Sequence, residues 1–367
     1  MKRLDRDKLI TAVGAPVLAV FAALVLTSVI ILISGKDPFR AYQVMIEFGT
    51  TDRSAIYIVN KSTMFFLSAL AVAIGFRMNL FNIGVDGQYR IAAFFAAAVG
   101  GALSLPGIIQ IPLIILVAMG VGAIWAGIAG VLRTTRGVSE VITTIMLNSI
   151  AGAVIGYYLT AGRLGEKDGN LTHTPNLPSS SRIFMIETSV GDINGFVVFA
   201  VLAGVLYWFI LNRTRFGFDL RSVGQSETAA AASGVDVKRM IVTSMVLSGA
   251  VAGLVGMPTL LGESYNYGTD FPLGVGFTGI AIALLGRNHP VGIALGALLW
   301  AFLERTGTQL EFEGYDQKIV EVIKGIIVLC VVIAYEVVRR WALRDQQRRV
   351  GEELAQARKT EKAEVGA

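Results

Sequence analysis

Apolar residues along this chain fall into blocks of about 20, the length that carries a helix across about 30 Å of hydrocarbon. The blocks lie at roughly 13–34, 62–77, 88–105, 111–132, 140–160, 194–212, 240–261, 272–286, 290–306 and 319–338. They predict an all-α, polytopic transmembrane helical bundle of about ten spans, with one membrane domain over residues 13–338. The 272–286 block is short, which leaves a half-helix or a re-entrant segment open. The first block is too long for the apolar core of a cleavable signal and lacks a small-x-small site, so it reads as an anchored helix. Composition agrees: of 367 residues 54% are hydrophobic and 16% charged, against about 25% charged in soluble domains. The 41 glycines suit close helix contact in lipid.

An even number of crossings puts both termini on one side, and charge decides which. Lys2, Arg3, Arg6, Lys8, Arg133, Arg136, Arg213, Arg215, Arg221, Lys238, Arg239 and the tail from Arg339 to Lys362 fall in one set of connections. That set holds the larger share of the 32 basic residues, whereas the 27 acidic ones divide almost evenly. The basic bias predicts this side to be cytoplasmic. Residues 1–12 and 339–367 are then cytoplasmic termini, 35–60 and 161–193 are external segments, and 213–239 is the longest cytoplasmic loop. The Arg/Glu/Gln-rich tail lacks apolar periodicity and is expected to be a frayed helical extension that loses order. Segments 62–105 and 240–306 each join a Gly-rich span, a polar break and another Gly-rich span. They run in opposite predicted directions, the plan of an inverted repeat.

Polar residues inside this apolar pattern mark the candidate chemistry. The run Phe81-Asn82-Ile83-Gly84-Val85-Asp86-Gly87-Gln88 sits between two spans, where such polarity survives only packed in protein or lining a hydrated cavity. Its two glycines permit a tight turn, and Asn82, Asp86 and Gln88 can either bond exposed backbone or touch a solute. Asp86 is costly unpaired in lipid, so Arg77 or Arg90 is its expected partner. Thr143, Thr144 and Asn148 share roughly one helical face, open both to hydroxyl back-bonding and to lining a pathway. Phe277 and Thr278 open a short span, where a ring could stack on a base or simply pack. Gly249-xxx-Gly253 and Gly292-xxx-Gly296 are small-xxx-small faces, read first as packing within the subunit.

In the 213–239 loop, Ser226 is placed to cap a short Ala-rich helix that stops at Gly234. Read from its residues, a short helix between spans can simply be a connector.

The 81–88 run resembles the FNIG-x-[DE]-GQ segment of permease subunits of bacterial ABC importers for simple sugars and nucleosides. Arg221 to Val235 is similar to that family's R-x-x-G-x-[NS]-x-x-A-A-x-x-x-G-[IV] pattern. Glu140–Asn148, Leu247–Gly256, Gly279–Pro290 and Val322–Leu329 continue the resemblance in order. The Gly286-Arg287-Asn288-His289-Pro290 form is closer to nucleoside-type permeases, and the 161–193 insert resembles the longer of their two permeases. The resemblance implies a bacterial plasma-membrane subunit translocating a small polar solute, a nucleoside before a simple sugar. It implies a coupling helix carrying Gly224, Ser226, Glu227, Ala230, Ala231 and Gly234 that docks in a groove of the ATPase, with Ala230 and Ala231 facing or flanking the contact and Gly234 at positive φ. The implied partners are an ABC ATPase that binds ATP and Mg, a second permease in a heterodimer, and an extracytoplasmic binding protein.

Several classes are excluded or left behind. No G-x-x-x-x-G-K-[ST] occurs, since Gly35-Lys36 is followed by Asp37, so the chain has no Walker-type ATP site of its own. The single cysteine, Cys330, lies in an apolar run and reads as a packed hydrophobe, and two distant histidines offer no metal centre. No cofactor and no nucleic-acid partner are expected, the basic balance being that of cytoplasmic loops. The alternative is an ion-coupled secondary transporter, for which Asp86 is the best available midplane carboxylate.

Overall fold

A computed structural model of the protein describes residues 15–365. Lys2, Arg3, Arg6, Lys8 and the predicted N-terminal segment 1–12 lie outside the described residues. Two units divide the chain, one built from its two ends and the other from residues 46–306.

In the terminal unit, α1 (Ala15–Ile33) and the start of α2 (Pro38–Gly49) meet at a bend of 117°. Gly35 at φ +72 makes the turn, and Pro38 opens α2 where its missing N–H costs nothing. α1 packs on the last helix, Gln317–Val365. Tyr315 donates to Asp37 O at 2.9 Å, and Arg40 pairs with Glu313 at 3.7 Å. The tail, expected to lose order, continues as helix to Val365.

The larger unit holds α3 (Asp52–Phe76), α4 (Val85–Ala102), α5 (Gly107–Arg136), α6 (Glu140–Tyr158) and α7 (Phe196–Arg213). Two short helices follow, α8 (Arg215–Gln225) and α9 (Glu227–Ala232), then α10 (Val237–Gly253), α11 (Met257–Thr259) and a π turn at Leu260–Ser264. α12 (Val275–Leu285) and α13 (Pro290–Phe312) come next, and α14 (Gln317–Val365) ends the chain. Thr51 accepts the Ser54 N–H and starts α3 well before residue 62. Residues 35–60, expected to connect spans, are therefore largely helical. Among the described residues five helices are long and apolar enough to cross a membrane: α3, α5, α6, α7 and Val237–Ser264. The bent α1–α2 pair makes up to six, and α12 is a shorter apolar helix of 11 residues, as the short block predicted.

The core of this unit is α3 and α4, wrapped by α5, α10 and α12. Glycine removes the side chains that would keep α5 and α10 apart. A Cβ on Gly249 would come within 2.2 Å of Gly122 O, and one on Gly253 within 2.2 Å of Ala118 O. The Gly249-xxx-Gly253 face is thus spent within the subunit. The outer faces of α5 and α7 carry exposed Leu116, Ile124, Leu202 and Val205, the pattern of a lipid-facing surface.

The all-α expectation needs one correction. Within 161–193 and just beyond it, β1 (Glu166–Asp168) pairs antiparallel with β2 (Leu171–His173), and β3 (Met185–Thr188) with β4 (Gly191–Asn194). Gly169 at φ +57 turns the first hairpin. Strands of three or four residues are too short to show alternation. The insert is bonded to the chain after α11: Thr174 N–H to Tyr267 O (2.9 Å), Leu177 N–H to Tyr265 O (2.8 Å) and Ile183 N–H to Leu261 O (3.1 Å). Asn194 Nδ2 adds a bond to Pro258 O at 2.9 Å.

Candidate functional site: a helix break and the segment beneath it

α3 stops at Phe76 and α4 starts at Val85, and the eight residues between them turn back on themselves. Asn79 adopts φ +58 there, a conformation Asn tolerates better than most residues. Asn82 fills the inside of the turn and uses its whole amide. Its Nδ2 donates to Gln88 Oε1 (3.0 Å) and Ser248 Oγ (2.8 Å), and its Oδ1 accepts from Gly84 N (3.1 Å) and Gln88 Nε2 (2.8 Å). Ser248 in turn donates to Ala71 O at 2.6 Å. Asn82, Gln88 and Ser248 are fully buried, so this closed network satisfies groups that would otherwise be stranded.

Asn148 clamps the same break from α6, donating to Ile83 O at 3.0 Å and accepting from Gly87 N at 2.8 Å. Thr143 and Thr144 donate back to Ser139 O (3.0 Å) and Val141 O (3.2 Å). Back-bonding to their own helix accounts for both hydroxyls. Asp86, in the first turn of α4, accepts from Gly276 N at 3.2 Å and lies 3.9 Å from Arg90. A carboxylate at two facing helix N-termini is favourably placed. Of the two expected partners, Arg90 is the one found. Arg77 instead donates to Asn288 O at 2.8 Å, in the α12–α13 turn. The α12 residues Phe277 and Thr278 stand apart from this network, Phe277 exposed and Thr278 half-buried.

The predicted docking segment is two helices rather than one. Ser226 is extended, at φ −161 and ψ 112, so α8 ends at Gln225 and α9 begins at Glu227. Ser226 caps α9 by accepting the Ala229 N–H at 3.3 Å, as expected of that residue. At the other end Val235 N–H reaches Ala230 O and Gly234 N–H reaches Ala231 O, both at 3.0 Å. This is a Schellman ending, with Gly234 at φ +86 as predicted. Ala230 and Ala231, expected to face or flank a docking contact, differ in exposure. Ala230 is buried against its own chain and only Ala231 is exposed, because successive helical residues point about 100° apart. A groove of about 830 Å³ runs beside α9, lined among others by Phe216, Asp219, Ser222, Arg239 and Met240.

Three contributors were not legible in the sequence: Ser248, the buried Glu140 that accepts the Phe81 N–H at 3.3 Å, and Arg133, ion-paired with Glu140. Ser248 and Glu140 lie in motifs that single out no individual residue, and Arg133 counts only as a loop charge. No signal short of a spatial neighbour list identifies them.

Comparison with known proteins adds a family. Residues 54–332 match the model described as "Branched-chain amino acid transport system / permease component". The chain is similar to a guanosine ABC transporter permease protein of Bacillus subtilis, 35% identical over 88% of this chain and 93% of that protein. It is also similar to a glucose ABC transporter permease protein of Haloferax volcanii, 32% identical over 87% of this chain and 86% of the other. A nucleoside ABC transporter permease protein of Lactococcus lactis is 31% identical over 87% of this chain and 90% of its own length.

Proposed function

The chain belongs to this family of ABC-importer permease components, and from that premise we propose that it moves nucleosides through the membrane, with simple sugars the second substrate class. It is a multi-pass membrane subunit without an ATPase site or cofactor of its own, working with ATPase and binding-protein partners. Membership replaces the ion-coupled alternative. The observation that carries the nucleoside reading is the guanosine permease's 35% identity across nearly the whole of both chains. The glucose permease at 32% keeps sugars in second place.

The finer arrangement belongs to the same proposal. About ten spans place both termini in the cytoplasm, and a second, different permease completes the membrane part. Residues 215–234 form the element that meets the ATPase. Its support is local: a capped, Gly-terminated short helix whose Ala230 and Gly234 line a groove and whose Ala231 is exposed. ATP-driven closure of the ATPase pair then shifts this element and rocks the spans.

Reconstitution of the whole importer in proteoliposomes tests the substrate. ATP-dependent uptake of labelled guanosine, competed by other nucleosides and not by glucose, is expected. Uptake of glucose that nucleosides leave untouched would overturn the nucleoside assignment.

A further inference from the structure

Two carboxylates from distant parts of the chain converge on one guanidinium. Arg133, in the last turn of α5, is ion-paired with Glu140, the first residue of α6. Its other nitrogen lies 3.2 Å from the carboxylate of Glu227, the first residue of α9. Glu140 is 5% exposed, and its second oxygen accepts the Phe81 N–H at 3.3 Å, inside the α3–α4 break. Contacts therefore run without a gap from α9 through Arg133 and Glu140 to the break.

The two halves of this chain of contacts differ in strength. Glu227 is more than half exposed, and an exposed ion pair is weakly held and screened by salt. Glu140 is buried, and separating it from Arg133 would leave an uncompensated charge inside the protein. The inner pair is thus the durable link and the outer pair the one that can open. Arg133 follows α9 only while Glu227 holds it, whereas Glu140 follows Arg133 at all times.

We infer that Arg133 and Glu140 are positioning residues that convey displacement of α9 to the α3–α4 break, with Glu227 as the releasable end. This rests on the reading of residues 215–234 as the ATPase-facing element. The backbone of Phe81 is the receiving point, and Asn82, next in sequence, carries the shift into the buried amide network.

The test uses the complete importer in proteoliposomes, with Cys330→Ser removing the native thiol. Spin labels go at Ala231→Cys or Phe81→Cys, both exposed positions, and spectra are taken with and without ATP plus vanadate. With Arg133 and Glu140 intact, both labels are expected to respond. With Glu140→Gln the label at 231 should still respond while the response at 81 is clearly reduced, the remainder passing through the direct contact of Gly224 with Arg77. Uptake should drop about tenfold or more, the scale of one lost charge-assisted hydrogen bond. Glu227→Gln should show the same pattern more weakly. If Glu140→Gln prevents assembly, Arg133→Lys carries the same test, since it keeps the charge and loses the fork that holds two carboxylates. A label at 81 that responds as in the native protein, with unchanged uptake, would overturn the inference. A label at 231 that is silent with Arg133 and Glu140 intact would instead overturn the coupling reading beneath it.

Discussion

Gly224 in α8 sits directly against the carbonyl of Arg77 at the end of α3: a Cβ there would come within 2.4 Å of that oxygen and 3.0 Å of Met78 Cα. Backbone cannot yield as a flexible side chain can. Gly224→Val is expected to cost about 1–3 kcal/mol, as overpacking does, and to lever α8 away from the α3–α4 break. Thermal denaturation of the purified protein in detergent measures it. A melting temperature equal to the native one would mean that the two elements do not press together.

Asn82→Ala strands several buried groups at once, because Gln88, Ser248 and Gly84 all bond to that amide. Each unsatisfied group costs about 1–3 kcal/mol. The expected result is a clear loss of thermal stability, larger than that of Thr143→Ala, whose hydroxyl only returns to its own helix. Equal melting of the two variants would contradict the network. Loss of uptake by Asn82→Ala with native melting would make Asn82 a solute contact instead.

Ala231→Trp places a bulky ring on the outward face of α9, where the protein itself offers no obstacle. It is expected to leave membrane insertion and folding intact while impairing ATPase stimulation and uptake in the reconstituted importer. Ala230→Trp, at a buried position, should instead lower stability. Native ATPase stimulation in the Ala231→Trp protein would reduce this segment to a connector.

Gly234→Val tests the helix ending separately. At φ +86 a residue with a side chain costs about 1–2 kcal/mol, and β-branching adds to it. The expected effect is a changed exit into α10, seen as lower uptake and faster hydrogen exchange over 226–240. Unaltered exchange there would show that the turn tolerates the substitution.

How far the sequence foretold these features depends on whether the cause was local. Ser226, Gly234 and the short 275–285 helix follow from capping, left-handed backbone and length, all written within a few residues. Ser248 meeting Asn82, or Glu140 meeting Phe81, depends on helices distant in sequence, and nothing near either residue announces its neighbour. The different exposure of Ala230 and Ala231 depends on which side α9 turns to the protein, and a run of four alanines does not show it. The hairpins escaped because each strand is too brief to carry a periodic signal.

The hairpin insert has a mechanical consequence for the long helix Val237–Ser264. One end of that helix, at the π turn and just beyond, is stitched to Thr174, Leu177 and Ile183 by main-chain hydrogen bonds. The other emerges from α9 and Gly234, where the neighbouring ties are a side-chain ion pair and a glycine turn. Main-chain bonds between segments resist sliding, because each broken one strands a donor and an acceptor in a poorly hydrated place. The two ends of the helix are thus held by different means, main-chain bonds at the hairpins and close side-chain packing on α5 towards α9.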